Sequence, residues 1–226
     1  MDYDALFEKI KGYVENDFPN TSWTDPTGSG VVTLTSKGQI DTFIRQAEQR
    51  IYNDVELLVS RNVDTGTLTS GNQYLAVPPD WLANFSFAVI DADGRYEYLI
   101  NKDVNFIRAA YPNPSYEALP VHYAFFNDGE FLLGPTPDDA YSYELHYYKY
   151  PESIVDAGTS WLGDNFDTVL LYGALLEAYT YMKGEPDIIE LYNSRYLGAL
   201  GQLKVLSEGK NRQDVYRSGQ PRFSVR

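Results

Sequence analysis

The sequence contains no cysteine, and histidine accounts for only two of its 226 residues. Without cysteine, disulfide bonds, thiolate catalysis and cysteine-ligated zinc are excluded. Long apolar runs are also missing, because the most apolar window, residues 169–182, is interrupted by Glu177 and is shorter than the roughly 20 residues of a membrane-spanning helix. Residues 1–10 are acidic and lack the basic start and apolar centre of a signal peptide. We therefore expect no membrane association and a cytoplasm-like compartment.

Basic side chains are scarce as well. The chain has 18 Lys and Arg against 32 Asp and Glu, which gives a formal net charge of -14 and a pI near 4.4. This acidity argues against a general nucleic-acid-binding protein, because such a chain repels phosphate instead of neutralising it. Tyrosine, in contrast, is abundant, with 20 residues in a chain of ordinary hydrophobic content (43%). The length is sufficient for a sizeable core.

The usual signatures of catalysis are absent. His122 and His146 lie on separate predicted strands, and the sequence has no nucleophile elbow, glycine-rich phosphate loop or HExxH motif. The acidic run 91–94 resembles the start of a calcium loop, but the sixth and twelfth positions hold Tyr96 and Lys102 instead of glycine and glutamate. We read that run as a hairpin turn. An acidic-site hydrolase would need a carboxylate pair that the sequence does not identify, so we predict no enzyme, cofactor or metal site.

Four segments have apolar residues at three- and four-residue intervals, which predicts four helices. Ser36 and Asp164 are expected N-caps, Gly184 ends the third helix, and Pro186 opens the fourth. The four segments are about 3–18, 36–58, 164–183 and 186–206. The residues expected on the apolar side of the fourth helix are Ile188, Ile189, Tyr192, Tyr196, Leu197, Leu200, Leu203 and Leu206.

The middle of the chain, from about residue 65 to 150, has a different pattern. Short runs rich in Val, Phe and Tyr alternate with turn residues, which predicts an antiparallel sheet. Gly94 and Gly129 can take the positive φ of hairpin turns, and a short helix is expected at 102–111, before Pro112. The candidate strands are 73–77, 84–90, 95–100, 120–126, 130–133 and 141–150.

Together, these elements predict an α+β fold. The expected architecture is a helical bundle of about four helices with an inserted antiparallel β-sandwich or barrel-like subdomain and an extended C-terminal arm. The predicted boundaries are 1–62 for the N-terminal part of the bundle, 63–158 for the β-rich insertion, 159–208 for the C-terminal helical hairpin and 209–226 for the arm.

The last segment, 209–226, has the opposite charge to the rest of the chain. It holds five basic residues and one acid, whereas residues 1–208 hold 13 basic and 31 acidic residues. It has no helical or strand periodicity, and disorder, a DNA contact and docking on a partner protein all remain open. Its mixture of arginine and aromatic residues is typical of an interface anchor. The candidate interface residues are Val215, Tyr216, Arg217, Arg222, Phe223, Val225 and Arg226.

Four segments carry a resemblance to a known family. They read TSKGQIDTFIRQAEQRIYNDVEL, QYLAVPPDWL, EFLLGPTPDDAYSYELHYYKYPE and WLGDNFDTVLLYGALLEAYTYMKGEPD. In this order, the sequence resembles the head-to-tail adaptor (connector or neck) proteins of tailed bacteriophages, in particular short-tailed ones. The resemblance extends over about residues 36–207 and depends on the order and character of the segments, not on a catalytic motif.

The resemblance implies a structural virion protein of the neck, between head and tail, assembled in the host cytoplasm. Such proteins form a homo-oligomeric ring, typically of twelve copies, beneath the portal protein. The ring extends the DNA channel, through which the genome passes without sequence-specific binding, and provides a platform for the tail nozzle or tube proteins. The C-terminal segment would grip the portal. An acidic lining would keep DNA from adhering as it slides past.

The tyrosine-rich strands leave a second hypothesis open. They are also compatible with a carbohydrate-binding tail accessory module that uses exposed tyrosines such as Tyr96 or Tyr98. However, the alternation of Tyr141, Tyr143 and Tyr147 is what any half-buried strand shows.

Overall fold

The computed structural model describes residues 1–25, 27, 31–127 and 129–217, with side chains described up to residue 209. These residues form a mixed α+β fold, as predicted. The chain divides into two compact units, one made of the residues up to Leu58 and from Pro151 onward, the other of Val59–Tyr150. No helix among the described residues is long and apolar enough to cross a membrane.

The helices and strands alternate along the chain, and a single 3-10 turn lies at Leu58–Ser60. In chain order they are α1 (Tyr3–Val14), β1 (Thr21–Thr24), β2 (Val31–Leu34), α2 (Ser36–Asp54), β3 (Arg61–Thr67), β4 (Tyr74–Ala76), β5 (Ala83–Ile90), β6 (Tyr96–Tyr98), β7 (Ile100–Asn101), α3 (Val104–Ala110), β8 (His122–Phe125), β9 (Glu130–Gly134), β10 (Ser142–Tyr148), α4 (Ile154–Ala157), α5 (Trp161–Asn165), α6 (Asp167–Tyr181) and α7 (Pro186–Arg217).

The helical unit is built around α6. This helix packs against α1, α2, α5 and α7, and it is apolar on nearly every side, which is typical of a central buried helix. Gly173 of α6 faces Ala47 of α2, and a Cβ added at Gly173 would lie 3.1 Å from the Ala47 Cβ. The two small residues let the helices approach closely. The buried residues of α6 are Val169, Leu170, Leu171, Gly173, Ala174, Leu175, Leu176 and Ala178.

Several predicted helix ends are wrong by a few residues. The N-cap of α2 is Thr35, whose hydroxyl accepts the Gly38 N–H at 3.1 Å, and not Ser36. Asp164 does not cap the central helix, because it lies inside α5, which is capped by Ser160. The break after α6 and the start of α7 at Pro186 are confirmed.

The C-terminal boundary of the helical region is also corrected. The helix α7 continues through residues 209–217, where the sequence pattern predicted an extended arm. A single glycine costs a helix only about 1 kcal/mol, and Lys, Arg and Gln are good helix formers, so Gly209 does not end it.

Polar contacts fix α4 against α2 where the chain returns from the β-rich unit. Glu48 is buried, and its carboxylate accepts the Ile154 N–H at 3.0 Å, at the start of α4. Nearby, the Arg45 guanidinium donates two hydrogen bonds, of 2.6 and 2.7 Å, to the Asp156 carboxylate. Burial raises the pKa of Glu48 above its ordinary value, whereas the hydrogen bonds from Ser153 and Ile154 lower it less.

Replacing Glu48 tests this contact. The pKa of Glu48 is higher in the folded protein than in the unfolded chain, so ionisation of this carboxyl group favours the unfolded chain. The free energy of unfolding of the wild-type protein should therefore rise as the pH falls from 7 toward 5. Glu48→Gln keeps an acceptor for the Ile154 N–H and should equal or exceed wild type at pH 7. Glu48→Ala leaves that N–H unsatisfied and should lose about 1–3 kcal/mol. Urea unfolding at pH 5 and 7 measures both; a glutamine variant that is less stable at both values would contradict this prediction.

The β-rich unit contains two four-stranded sheets, so the strands do not form one closed barrel in the described part of the chain. The first sheet has the order β3-β10-β5-β6, and the second has the order β4-β9-β8-β7. All pairs are antiparallel except β7–β8. Aromatic residues of both sheets form one core: the Phe87 ring packs 5.3 Å from Tyr123, 5.9 Å from Phe131 and 6.1 Å from Tyr143, centroid to centroid.

Two features of this unit can be compared with the predictions from the sequence. The strand β3 was not predicted, since Arg61–Thr67 is polar and contains a glycine. The run at 91–94 is a hairpin turn, as predicted: the Asp91 carboxylate accepts the N–H groups of Asp93 and Arg95 at 2.9 and 2.8 Å, and Gly94 has φ +80°.

Candidate interaction surfaces

The predicted anchor residues lie at or beyond the C-terminal end of the part of the chain that the structure describes. Val215, Tyr216 and Arg217 belong to the last turn of α7, but their side chains are outside the described residues. The other four anchor candidates also lie outside the described residues. They are Arg222, Phe223, Val225 and Arg226.

The two histidines do not form a pair. His122 is on β8, with its Nδ1 3.0 Å from the Tyr111 hydroxyl, and burial followed by the charge of Lys102 lowers its pKa. His146 is on β10 of the other sheet, with its Nε2 2.6 Å from a Glu144 carboxylate oxygen. Each imidazole therefore has its own local partner. Within the described ranges, no group of three or more His, Asp or Glu is arranged to hold a metal ion.

One exposed aromatic surface lies on the outer side of the first sheet, and we name it the tyrosine face. The side chains of Tyr98, Phe85 and Tyr96 are 68%, 54% and 49% exposed. The Arg61 guanidinium lies 4.7 Å from the centroid of the Phe85 ring, and the ring of His146 packs against the same phenylalanine. The surface thus combines aromatic rings with a cation, a carboxylate and an imidazole.

A second exposed surface starts at the β1–β2 hairpin. In the register of these strands Trp23 is opposite Val32, and Leu34 lies two residues further along β2, on the same side of the pleat. Trp23 and Val32 are 45% and 40% exposed. The hairpin therefore presents an apolar side that ends at Leu34.

A groove between α2 and α6 continues this apolar side. Leu34 lines it, together with the rings of Phe43 and Tyr181, whose centroids are 5.4 Å apart. Toward the other end of α2 the groove is lined by amides and charges, including Asp54, Arg50 and Glu177, the last two forming an ion pair. We call the combination of hairpin and groove the hairpin–groove surface.

Gln39 gives the groove an unusual chemical feature. The residue is 2% exposed, and its amide N–H donates to the Pro19 carbonyl at 2.5 Å. Because a carbonyl can only accept, this contact fixes the orientation of the amide. The Gln39 Oε1 is buried, and no described residue donates a hydrogen bond to it. Gln39 thus lines the groove, and its buried amide oxygen is an acceptor left without a partner.

A third surface is the outer face of α7, opposite its buried stripe of Tyr196, Leu200 and Leu203. The expectation that Leu197 and Leu206 would share the buried stripe is wrong, because they are 55% and 37% exposed. Eight apolar residues within 19 positions cover more than one side of a helix, so periodicity alone could not separate them. The members of this outer face are Leu191, Leu197, Gly198, Gly201 and Val205.

In the described part of the chain, the space next to the two glycines of this face is open. A Cβ added at Gly198 or Gly201 would meet no atom within 4 Å. Leu191, Leu197 and Val205 around them are 49%, 55% and 73% exposed. Because large exposed apolar patches often mark interaction surfaces, this face is a candidate for one.

A comparison with protein families places this chain among known proteins. The model of the family described as SU10 adaptor protein matches residues 1–222, almost the entire sequence. The match therefore covers both the helical unit and the β-rich unit. No curated protein matches the chain.

Proposed function

The chain belongs to the SU10 adaptor protein family, and from this membership we propose that it forms the ring that joins portal and tail in a phage virion. The family match across residues 1–222 is the observation that carries the proposal. A phage adaptor is a structural protein, which suits a chain whose histidines have separate local partners. In this proposal the ring, typically of twelve copies, extends the DNA channel and offers a platform to tail proteins.

The exposed surfaces support assembly into a ring. An adaptor subunit must contact its neighbours, the portal and the tail, and so it needs several separate interaction surfaces. The helical unit has two, the hairpin–groove surface and the outer face of α7, and the β-rich unit has the tyrosine face. The net charge of -14 favours a channel along which DNA slides without adhering.

Ring formation can be observed directly. We expect negative-stain micrographs of the purified full chain, alone or mixed with portal rings, to show annular particles with a central channel. Light scattering of the same samples should give a mass of many subunits. A protein that stays monomeric at all concentrations and does not bind portal rings would contradict the proposal.

The proposed role of the C-terminal segment is to anchor the ring to the portal. Truncation after Asp214 removes all seven anchor candidates together with the rest of that segment, so it should reduce co-sedimentation with portal rings. Thermal unfolding should change little, because the buried side chains of α7 that the structure describes, up to Ser207, all precede the deletion.

A second variant tests how much the charges of this segment, as distinct from its apolar residues, contribute to portal binding. Arg222→Glu combined with Arg226→Glu keeps Phe223 but reverses two charges, and it should weaken portal binding in a salt-dependent manner. Attachment that is unchanged in both the truncated and the charge-reversed proteins would refute the anchor.

The tyrosine face favours one further candidate function, binding of carbohydrate at a host surface. Sugars stack on exposed aromatic rings while neighbouring polar groups bond their hydroxyls, and Tyr96, Tyr98 and Glu144 offer that combination. Tyr98→Ala should then abolish binding on a glycan array, with little effect on folding. Lys9→Ala, at an exposed position of α1, is the control. An array without hits for the wild-type protein would remove this candidate.

A further inference from the structure

We propose that the hairpin–groove surface of one subunit binds the outer face of α7 of a second copy. The inference rests on the proposed ring and names the two surfaces that would build it. Both surfaces belong to the same helical unit and are formed by described residues. The proposed occupant of the groove is a second copy of this chain.

The hairpin itself is the first reason to expect a partner. In the described part of the chain, β1 and β2 pair only with each other. A two-stranded hairpin is marginally stable in water unless a further layer packs on it. Trp23 and Val32 remain almost half exposed on its apolar side. A partner that covers this side would stabilise the hairpin and remove both residues from water.

The buried acceptor is the second reason. The Gln39 Oε1 lacks a donor among the residues that the structure describes, and an unsatisfied buried carbonyl destabilises the state that contains it. Between Leu191 and Val205, α7 has exposed donors in Ser194, Gln202 and Lys204. A second copy seated in the groove would bring these donors next to Gln39, and a shift of the side chains that cover its oxygen would let one of them bind it.

Charge complementarity selects α7 as the occupant. The polar end of the groove carries two carboxylates, Glu177 and Asp54, against the single guanidinium of Arg50. Between Leu191 and Val205, the only charged residues of α7 are Arg195 and Lys204, both basic and both exposed. Opposite charges across an interface fix its register and suppress wrong partners.

The glycines of α7 fit the same contact. Glycine weakens a helix interior, and no described residue approaches Gly198 or Gly201 closely enough to require one. Without a Cβ at these positions, the backbone of another chain can come close to α7. The exposed Leu197 and Val205 on either side would supply apolar contacts.

The positions of the surfaces determine the symmetry of the contact. The outer face of α7 points away from α6, whereas the groove lies between α6 and α2, so the two surfaces do not overlap in one subunit. A two-fold dimer would bring identical patches together. Contact between different patches is head-to-tail, and it produces a closed ring where the rotation between subunits allows closure.

The absence of native cysteine makes a crosslinking test unambiguous. We would introduce Val32→Cys and Val205→Cys, both at exposed positions, separately and together in the full chain, and oxidise the proteins. The double variant should give a ladder of covalent oligomers on non-reducing gels. Each single variant should stay monomeric, because a head-to-tail contact does not bring a residue against its own copy. Val32→Cys with Lys9→Cys on α1 is the control pair and should not form the ladder.

A glycine pair provides a test that does not need oxidation. Gly201 and Gly12 are both helical glycines with no atom within 4 Å of an added Cβ. Leucine at either position should therefore preserve or raise the unfolding temperature. Gly201→Leu should raise the concentration for half-maximal assembly about tenfold or more, whereas Gly12→Leu should leave it unchanged.

The outcomes separate this contact from the proposed function. If micrographs show rings but the double-cysteine variant gives no ladder, the contact is overturned and the ring is not. The same conclusion follows if Gly201→Leu assembles normally. Covalent dimers of a single-cysteine variant would show a two-fold contact and overturn it as well. A ladder from a protein that forms only open filaments would support the contact and contradict the closed ring. A protein with neither rings nor ladder would contradict both.

Discussion

The enclosure of α6 is the constraint on which the helical unit depends. This helix is apolar on nearly all sides, and its burial requires neighbours in every direction. The neighbours come from both ends of the chain: α1 and α2 precede the β-rich unit, and α5 and α7 follow it. Neither end can bury its apolar residues without the other. The β-rich residues between Leu58 and Pro151 are consequently an insertion within one helical unit, and their removal would not disrupt the order of the helices.

The same constraint decides which surfaces stay exposed. Where the chain returns from the β-rich unit, Glu48 and Arg45 of α2 bind the backbone and a side chain of α4, which fixes the path that leads into α6. α6 then needs only one side of α7, and the side opposite remains in solvent with Val205 73% exposed. The groove beside Gln39 lies where α2 and α6 meet, with apolar residues along one part of it and amides and charged residues along the other. Both surfaces are consequences of how the core is closed.

The sequence correctly predicted the elements in which the spacing of apolar residues, or a single residue such as proline, is sufficient to define the structure. Helix α2 has one buried side with strict spacing, and Pro186 marks the start of α7 by its own covalent geometry. The predictions were wrong where the character of the side chains does not match their environment in the fold. Leu197 has the apolarity of a core residue but is exposed, and β3 pairs with β10 through its backbone although its side chains are polar. The Gln39 acceptor could not be predicted, because it depends on the distance between the amide and the Pro19 carbonyl.

Charge sets a further condition on any ring of this subunit. Each copy carries -14, so copies repel one another at long range, but at physiological ionic strength this repulsion is screened beyond about 8 Å. Within that distance, local charges govern the approach of two surfaces. The basic pair of α7 and the acidic end of the groove are then attractive, although the subunits as a whole are not. In the proposed contact the apolar residues supply the affinity, and these opposite charges favour the orientation that brings the basic residues of α7 to the acidic end of the groove.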